Sequence, residues 1–184
     1  VFDVDKLSWL NGTWIRENLT DEELVKRFVD WKFNSDMLAK VLPEAKTRIN
    51  TLSDMVDLAG HFVGGIPTYD PALLTAGKAD ENVIRQALQF FVWQLEGLRS
   101  FDKPAIFAIA KEVATFHELK IKDFLEPIFV AITGKTSSTS VLDAMEILGS
   151  DLSRARLRVA LAHLGISKKQ AKNIERAYRT YPSA

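Results

Sequence analysis

The sequence contains no cysteine in its 184 residues. This absence excludes disulfide bonds, thiolate zinc sites and cysteine nucleophiles from the chain. No apolar run approaches the roughly 20 residues that cross a membrane as a helix, so we expect no membrane partner. Apolar residues nevertheless make up 47 % of the chain, which predicts a folded protein rather than a disordered one.

Recognisable catalytic motifs are also missing. His61, His117 and His163 lie far apart, without the spacing of a metal-binding helix. The tripeptide that begins at Gly134 ends like a phosphate-binding P-loop, but Phe129 stands where that motif requires glycine. We therefore predict no catalytic residue and no metal site. The loop at Gly134 is either a plain connection or a contact to an RNA backbone or an unstacked base.

Charge is balanced overall but unevenly distributed. The net charge is zero, whereas residues 151–184 hold eight Lys and Arg against two acidic residues, a net charge of +6. The first 150 residues therefore carry −6. Such asymmetry indicates either a polyanionic partner at the basic end or a pair of solvated surface helices, and composition does not choose between them.

The apolar pattern is helical throughout. Thr20 and Glu23 form a capping box ahead of apolar positions at three- and four-residue steps. We predict that Pro43 opens the next helix, which runs through Ile49, because proline costs little in a first turn. The aromatic residues at helical spacing are predicted to lie in the core: Phe28, Trp31, Phe90, Phe91 and Trp93.

Further helices are predicted after Ser53, from Asp80 to Gln94, over 104–117 and over 120–132. The break at 64–67 indicates a subdomain boundary. Three short helices that open near Ser140, Asp151 and Ser167 complete the chain, with Gly149 and Gly165 as helix C-caps. The predicted fold class is all-α, with two consecutive helical bundles.

Four segments resemble glutamyl-tRNA synthetases. The opening segment matches at Phe2, Asp3, Lys6, Leu7, Trp9, Asn11, Gly12, Ile15 and Arg16. The other three are residues 45–52, residues 131–149 with their Thr-Gly loop, and residues 154–157. The resemblance implies the anticodon-binding fold of class I synthetases, with residues 1–18 ending the connecting module, 19–66 forming the first anticodon-binding subdomain and 67–184 the second.

The two ATP-binding signatures of this family do not occur in the chain. The sequence also begins without Met, and we interpret it as the rear part of a longer enzyme. The resemblance implies tRNA-Glu and the N-terminal catalytic domain of the same enzyme as partners, ATP and Mg²⁺ as cofactors of that parent ligase, and no cofactor in this chain. It also implies a cytoplasmic monomer.

The resemblance assigns the anticodon contacts residue by residue. Arg48 matches the arginine that reads the third anticodon base, and a guanidinium suits that role because it presents directional donors. The first two bases are assigned to the loop residues Thr133, Gly134, Ser138, Thr139 and Val141. From their positive charge, we also expect four basic residues to neutralise phosphates of the tRNA backbone: Lys135, Arg156, Lys168 and Lys172.

Phe129 and Thr139 depart from the family pattern, in which arginine and proline are common at these positions. An arginine contact is then missing or is replaced by stacking on Phe129. Tyr178 and Tyr181 alternate with arginines, and they either clamp nucleotides or pack a terminal helix. The alternative for the whole chain is a helical protein-interaction domain without RNA binding, while a stand-alone enzyme has the least support.

Overall fold

The computed structural model describes residues 3–33, 35–136 and 140–182. Within these ranges the chain is helical and contains no β-strand, so the all-α prediction is confirmed. The α-helices are α1 (Val4–Asn18), α2 (Asp21–Lys32), α3 (Ser35–Lys46), α4 (Asp54–Val63), α5 (Glu81–Glu96), α6 (Lys103–Phe116), α7 (Ile121–Thr133), α8 (Val141–Leu164) and α9 (Lys168–Tyr178). A 3-10 helix spans Pro71–Thr75.

The chain divides into two compact units, Val1–Thr47 and Arg48–Ala184. The break at 64–67 is present as a non-helical segment, but it lies inside the second unit. The reason is that the C-terminal end of α4 is hydrogen-bonded to α8. The boundaries at 18/19 and 66/67 stay predictions from the sequence.

The first unit shows how local signals set helix ends. The capping box of α2 is present, since the Glu23 amide donates to Thr20 Oγ1 at 3.3 Å and the Thr20 amide donates to the Glu23 carboxylate at 2.9 Å. The helix start predicted at Pro43 is wrong, because Pro43 lies inside α3, which begins at Ser35. Arg48 follows this helix and is not part of it.

Two aromatic residues of the first unit are not in a core. Phe28 is 52 % exposed and Trp31 is 73 % exposed, so the prediction that they are buried is wrong. Their apolar face exists at the predicted helical spacing, and the first unit does not cover it.

The second unit is built around α5. Asp80 caps this helix as predicted, accepting from the amides of Asn82 at 2.8 Å and Val83 at 3.3 Å. Phe90 and Phe91 are fully buried, which confirms their predicted core positions. Helices α6, α7 and α8 pack around α5.

The first two of the three predicted terminal helices meet at a kink within α8. Gly149 has φ +79° and ψ 171°, a non-helical residue inside α8 that separates its two segments. Gly165, with φ +63°, ends α8 as predicted.

The terminal aromatic residues pack rather than present a clamp. The ring centroid of Tyr178 lies 4.7 Å from that of Trp93 and 4.9 Å from that of Phe90. The Tyr178 hydroxyl accepts a hydrogen bond from Gln94 Nε2 at 2.8 Å. Tyr181 is buried against the same Phe90 ring. Of the two interpretations, the structure therefore favours a packed terminal helix.

Candidate nucleic-acid interface

Arg48 lies in the turn between α3 and α4, and its side chain is exposed. The turn is ordered by Asp54, the first residue of α4. The Asp54 carboxylate accepts from the amides of Thr51 at 2.9 Å and Asn50 at 2.8 Å, and from the Thr51 hydroxyl at 2.8 Å. These hydrogen bonds hold the pKa of Asp54 below its usual value. The segment that follows Arg48 is therefore hydrogen-bonded to the first turn of α4.

The Thr-Gly loop begins with a rigid turn at the end of α7. The Thr133 hydroxyl donates to the Phe129 carbonyl at 2.8 Å and accepts from the Lys135 amide at 3.2 Å. Gly134 caps the helix with φ +73°, and its amide donates to the Val130 carbonyl at 2.8 Å. Because the Thr133 side chain is buried and bonded within this turn, it supports the loop rather than offering its hydroxyl to a base.

The loop is attached to α4. The Lys135 ammonium donates a hydrogen bond to the carbonyl of Asp57. A Cβ atom placed on Gly134 would lie 2.9 Å from the Pro67 Cβ atom, so the turn also packs closely on the segment that follows α4. The loop therefore lies beside the helix that Arg48 precedes, and Lys135 remains exposed there.

Ser138 and Thr139 lie outside the described residues. Val141 begins α8 and is buried, so its side chain does not face a partner at the surface. It lines an apolar cavity of about 720 Å³ together with Phe129, Phe107 and Leu74. Phe129, which stands where the family often has arginine, is half-buried and lies at this cavity.

The prediction that Arg156 contacts the tRNA backbone is contradicted by its position. Its side chain is fully buried, so it cannot contact a phosphate at the surface. Its Nη2 atom donates to the carbonyls of His61 at 2.6 Å and Gly64 at 2.9 Å, and its Nη1 atom donates to the carbonyl of Ile132. Burial lowers the pKa of Arg156 to about 10, which leaves it charged at neutral pH. The available signal was its spacing from Ser153 and Ala160, which places all three residues on one buried helix face.

His61 is buried beside this guanidinium, and neither ring nitrogen has a hydrogen-bond partner in the described part of the chain. Burial, together with the nearby charges of Arg156 and Lys135, lowers its pKa to about 4. The ring is thus neutral at physiological pH and adds no positive charge beside Arg156 and Lys135.

Lys168 and Lys172 are exposed on α9. Gln170 of the same helix bonds Asn82 of α5 at 3.3 Å, and α9 packs mainly on α5. The structure therefore places these two lysines on a different element from the helices that carry the Arg48 turn and the loop.

The described residues contain no group of three or more His, Cys, Asp or Glu side chains placed to hold a metal ion. Among the described residues, no helix combines the length and the apolar character needed to span a membrane.

The all-helical fold agrees with the resemblance to a synthetase anticodon-binding region. The anticodon binding domain family matches residues 23–161. This chain belongs to that family.

Individual relatives agree on one enzyme. The chain is 95 % identical over all its 184 residues to the glutamate–tRNA ligase of Pseudoalteromonas translucida (strain TAC 125), where it covers 37 % of that protein. It is 49 % identical over 97 % of its length to the glutamate–tRNA ligase of Marinomonas sp. (strain MWYL1), where it covers 36 %. The chain thus spans about a third of the length of the curated relatives it matches.

A solved structure supports the fold. A glutamate tRNA ligase from Elizabethkingia meningosepticum, crystallised with its amino acid, aligns with a TM-score of 0.63 and 18 % identity. The alignment covers 89 % of this chain and 33 % of the other. At this identity the likeness supports the helical architecture alone.

Proposed function

We propose that this chain is the part of a glutamate–tRNA ligase that recognises the anticodon of tRNA-Glu. The observation that carries the proposal is the hydrogen bond from Lys135 to the Asp57 carbonyl. This contact joins the loop to α4, the helix that Arg48 precedes. Two segments assigned to neighbouring anticodon bases from sequence therefore adjoin one helix in the second unit.

Each segment offers chemistry suited to splayed nucleotides. Arg48 presents a guanidinium at an exposed turn, which can donate to a base edge while its charge attracts nearby phosphates. Lys135 is exposed and adds a second cation beside α4. Because the Thr133 and Val141 side chains are buried, we assign recognition by the described part of the loop to exposed Lys135 and to the backbone.

The proposal is tested by measuring the binding of the chain to tRNA-Glu, tRNA-Gln and an unrelated tRNA over a range of salt concentrations. Phosphate contacts predict an affinity that falls steeply as salt rises. Arg48→Ala is expected to weaken tRNA-Glu binding by about 1–3 kcal/mol. Lys111→Ala removes one exposed positive charge from α6 and serves as the matched control.

Equal affinities of Arg48→Ala and the parent chain reject the assigned reader. Equal losses in Arg48→Ala and Lys111→Ala instead indicate charge attraction without base recognition. Binding that ignores salt, or no binding to any tRNA, rejects RNA recognition and favours the protein-interaction alternative.

The first unit favours a protein partner. Its exposed large apolar side chains include Trp9, Trp14, Val25, Phe28 and Trp31. Large apolar side chains exposed in this number are typical of protein contacts rather than of contacts to a phosphate backbone. We propose the remaining, catalytic part of the longer ligase as this partner, with ATP and Mg²⁺ bound there.

A further inference from the structure

Arg156 carries a positive charge inside the second unit, with no neutralising acid among the described residues. The ion pairs found among the described residues do not include it, and its side chain is fully buried. A buried charge is costly unless hydrogen bonds compensate it. Here the compensation comes from three backbone carbonyls, those of His61, Gly64 and Ile132.

These carbonyls belong to the ends of two helices. His61 lies in the last turn of α4, Gly64 is the cap of that helix, and Ile132 lies in the last turn of α7. The final carbonyls of a helix lack partners within it and form the negative end of its dipole. One guanidinium therefore donates hydrogen bonds to carbonyls at the ends of both helices and links α4 to α7.

The two helix ends lead into segments that contact each other. Beyond Ile132 comes Gly134, packed closely on Pro67, which lies just beyond Gly64. Further along, Lys135 reaches back to the Asp57 carbonyl of α4. Arg156 thus lies beneath the junction that sets the loop beside α4.

We infer that Arg156 is a positioning residue for tRNA recognition, holding the ends of α4 and α7 so that the Thr-Gly loop and the Arg48 turn present one arrangement to the anticodon. This inference rests on the proposed function. It assigns Arg156 an indirect role in place of the phosphate contact assigned from the sequence.

The planar guanidinium is suited to this role, because its fixed fork directs two nitrogens to acceptors on different helices. Lysine keeps the charge but concentrates its donors on one flexible nitrogen. Methionine keeps much of the volume and removes the charge and every hydrogen bond. The two substitutions therefore separate loss of the fork from loss of charge.

The test compares Arg156→Lys and Arg156→Met with the parent chain in tRNA-Glu binding, at a temperature where circular dichroism shows each variant to be folded. Each folded variant is expected to bind roughly 3- to 30-fold more weakly. Its amides at 133–136 are expected to exchange hydrogen faster than in the parent. Ile106→Val, a mild change at a fully buried position of α6, serves as the control for lost stability.

Parent-like affinity in a folded Arg156 variant overturns the inference, and so does an equal loss of affinity in Ile106→Val. If the parent chain itself fails to bind tRNA-Glu, the proposed function is rejected and the inference falls with it. Binding by the parent and by Ile106→Val, with weaker binding by the Arg156 variants, supports both.

Discussion

Gly134 determines how α7 gives way to the loop. Its φ of +73° is a conformation that side chains with a Cβ atom adopt at a cost, and that atom would lie 2.9 Å from the Pro67 Cβ atom. Gly60 makes a contrast, because a Cβ atom there meets nothing within 4 Å and the residue lies inside α4. Alanine is therefore expected to be unfavourable at Gly134 and to be accommodated at Gly60.

We predict that Gly134→Ala lowers the free energy of unfolding by about 1–3 kcal/mol. Gly60→Ala should raise it by about 0.5–1 kcal/mol, since alanine favours a helix interior. Urea unfolding followed by circular dichroism measures both. A Gly134→Ala variant as stable as the parent would show that the turn adapts without strain.

A second prediction at this scale concerns His61 and pH. The folded state keeps this ring neutral down to a pKa of about 4, whereas the unfolded chain accepts the proton near 6.5. Protons therefore favour the unfolded state below pH 6.5, and stability is lost as the pH falls. The loss from this site should be about 2 kcal/mol by pH 5.

Urea unfolding at pH 7.5 and pH 5 measures this loss, with His61→Phe as the variant that cannot titrate. His117, whose pKa is also lowered by burial, contributes in the same direction in both proteins. The difference between parent and variant therefore isolates His61. Identical pH slopes in the two proteins contradict the assignment.

Helix α5 illustrates how one capping residue supports a whole element. Asp80 accepts two amide hydrogen bonds at the start of α5, and among the described residues this helix contacts four others, α6, α7, α8 and α9. We predict that Asp80→Ala lowers the free energy of unfolding by about 1 kcal/mol, because two amides lose their acceptor. Asp80→Asn should cost less, since asparagine also caps. Thermal melts of the two variants provide the check, and equal losses would point to charge rather than capping.

On the scale of the whole molecule, the two units differ in how much they bury. The described residues of the first unit bury few side chains, among them Val41 and Ala45. The second unit buries complete faces of α5, α6 and α7. Since protection from hydrogen exchange follows buried contacts, the units should open at different free energies.

We predict that amides of α1 and α2 exchange faster than those of α5 and α7 when the chain is studied by hydrogen exchange and mass spectrometry. In a full-length ligase, the α1 and α2 amides should become slower to exchange, because we propose that the catalytic part covers their apolar face. Equally slow exchange in the isolated chain would contradict the difference in burial. Unchanged exchange in the longer protein would contradict the proposed partner.

Local signals in the sequence were sufficient for much of the helical layout. The Thr20 capping box, the Asp80 cap and Gly165 each act through neighbours a few residues away, so their effects could be predicted directly. The start predicted at Pro43 is wrong because Pro43 lies inside α3, and a proline alone does not show whether a helix begins at it or continues through it. Arg48 could be identified by resemblance to the family, because the matching segment, residues 45–52, is continuous in the sequence.

What the sequence determined by itself is the all-α class, most helix positions and the resemblance to an anticodon-binding region. Only the tertiary structure decided that Arg156 is buried and hydrogen-bonded to the ends of α4 and α7. It also decided that Thr133 and Val141 are buried and that Phe28 is exposed. A helical period shows which residues share a face, but not which element covers that face. That choice depends on contacts between residues as distant in the chain as His61 and Arg156, which local patterns do not encode.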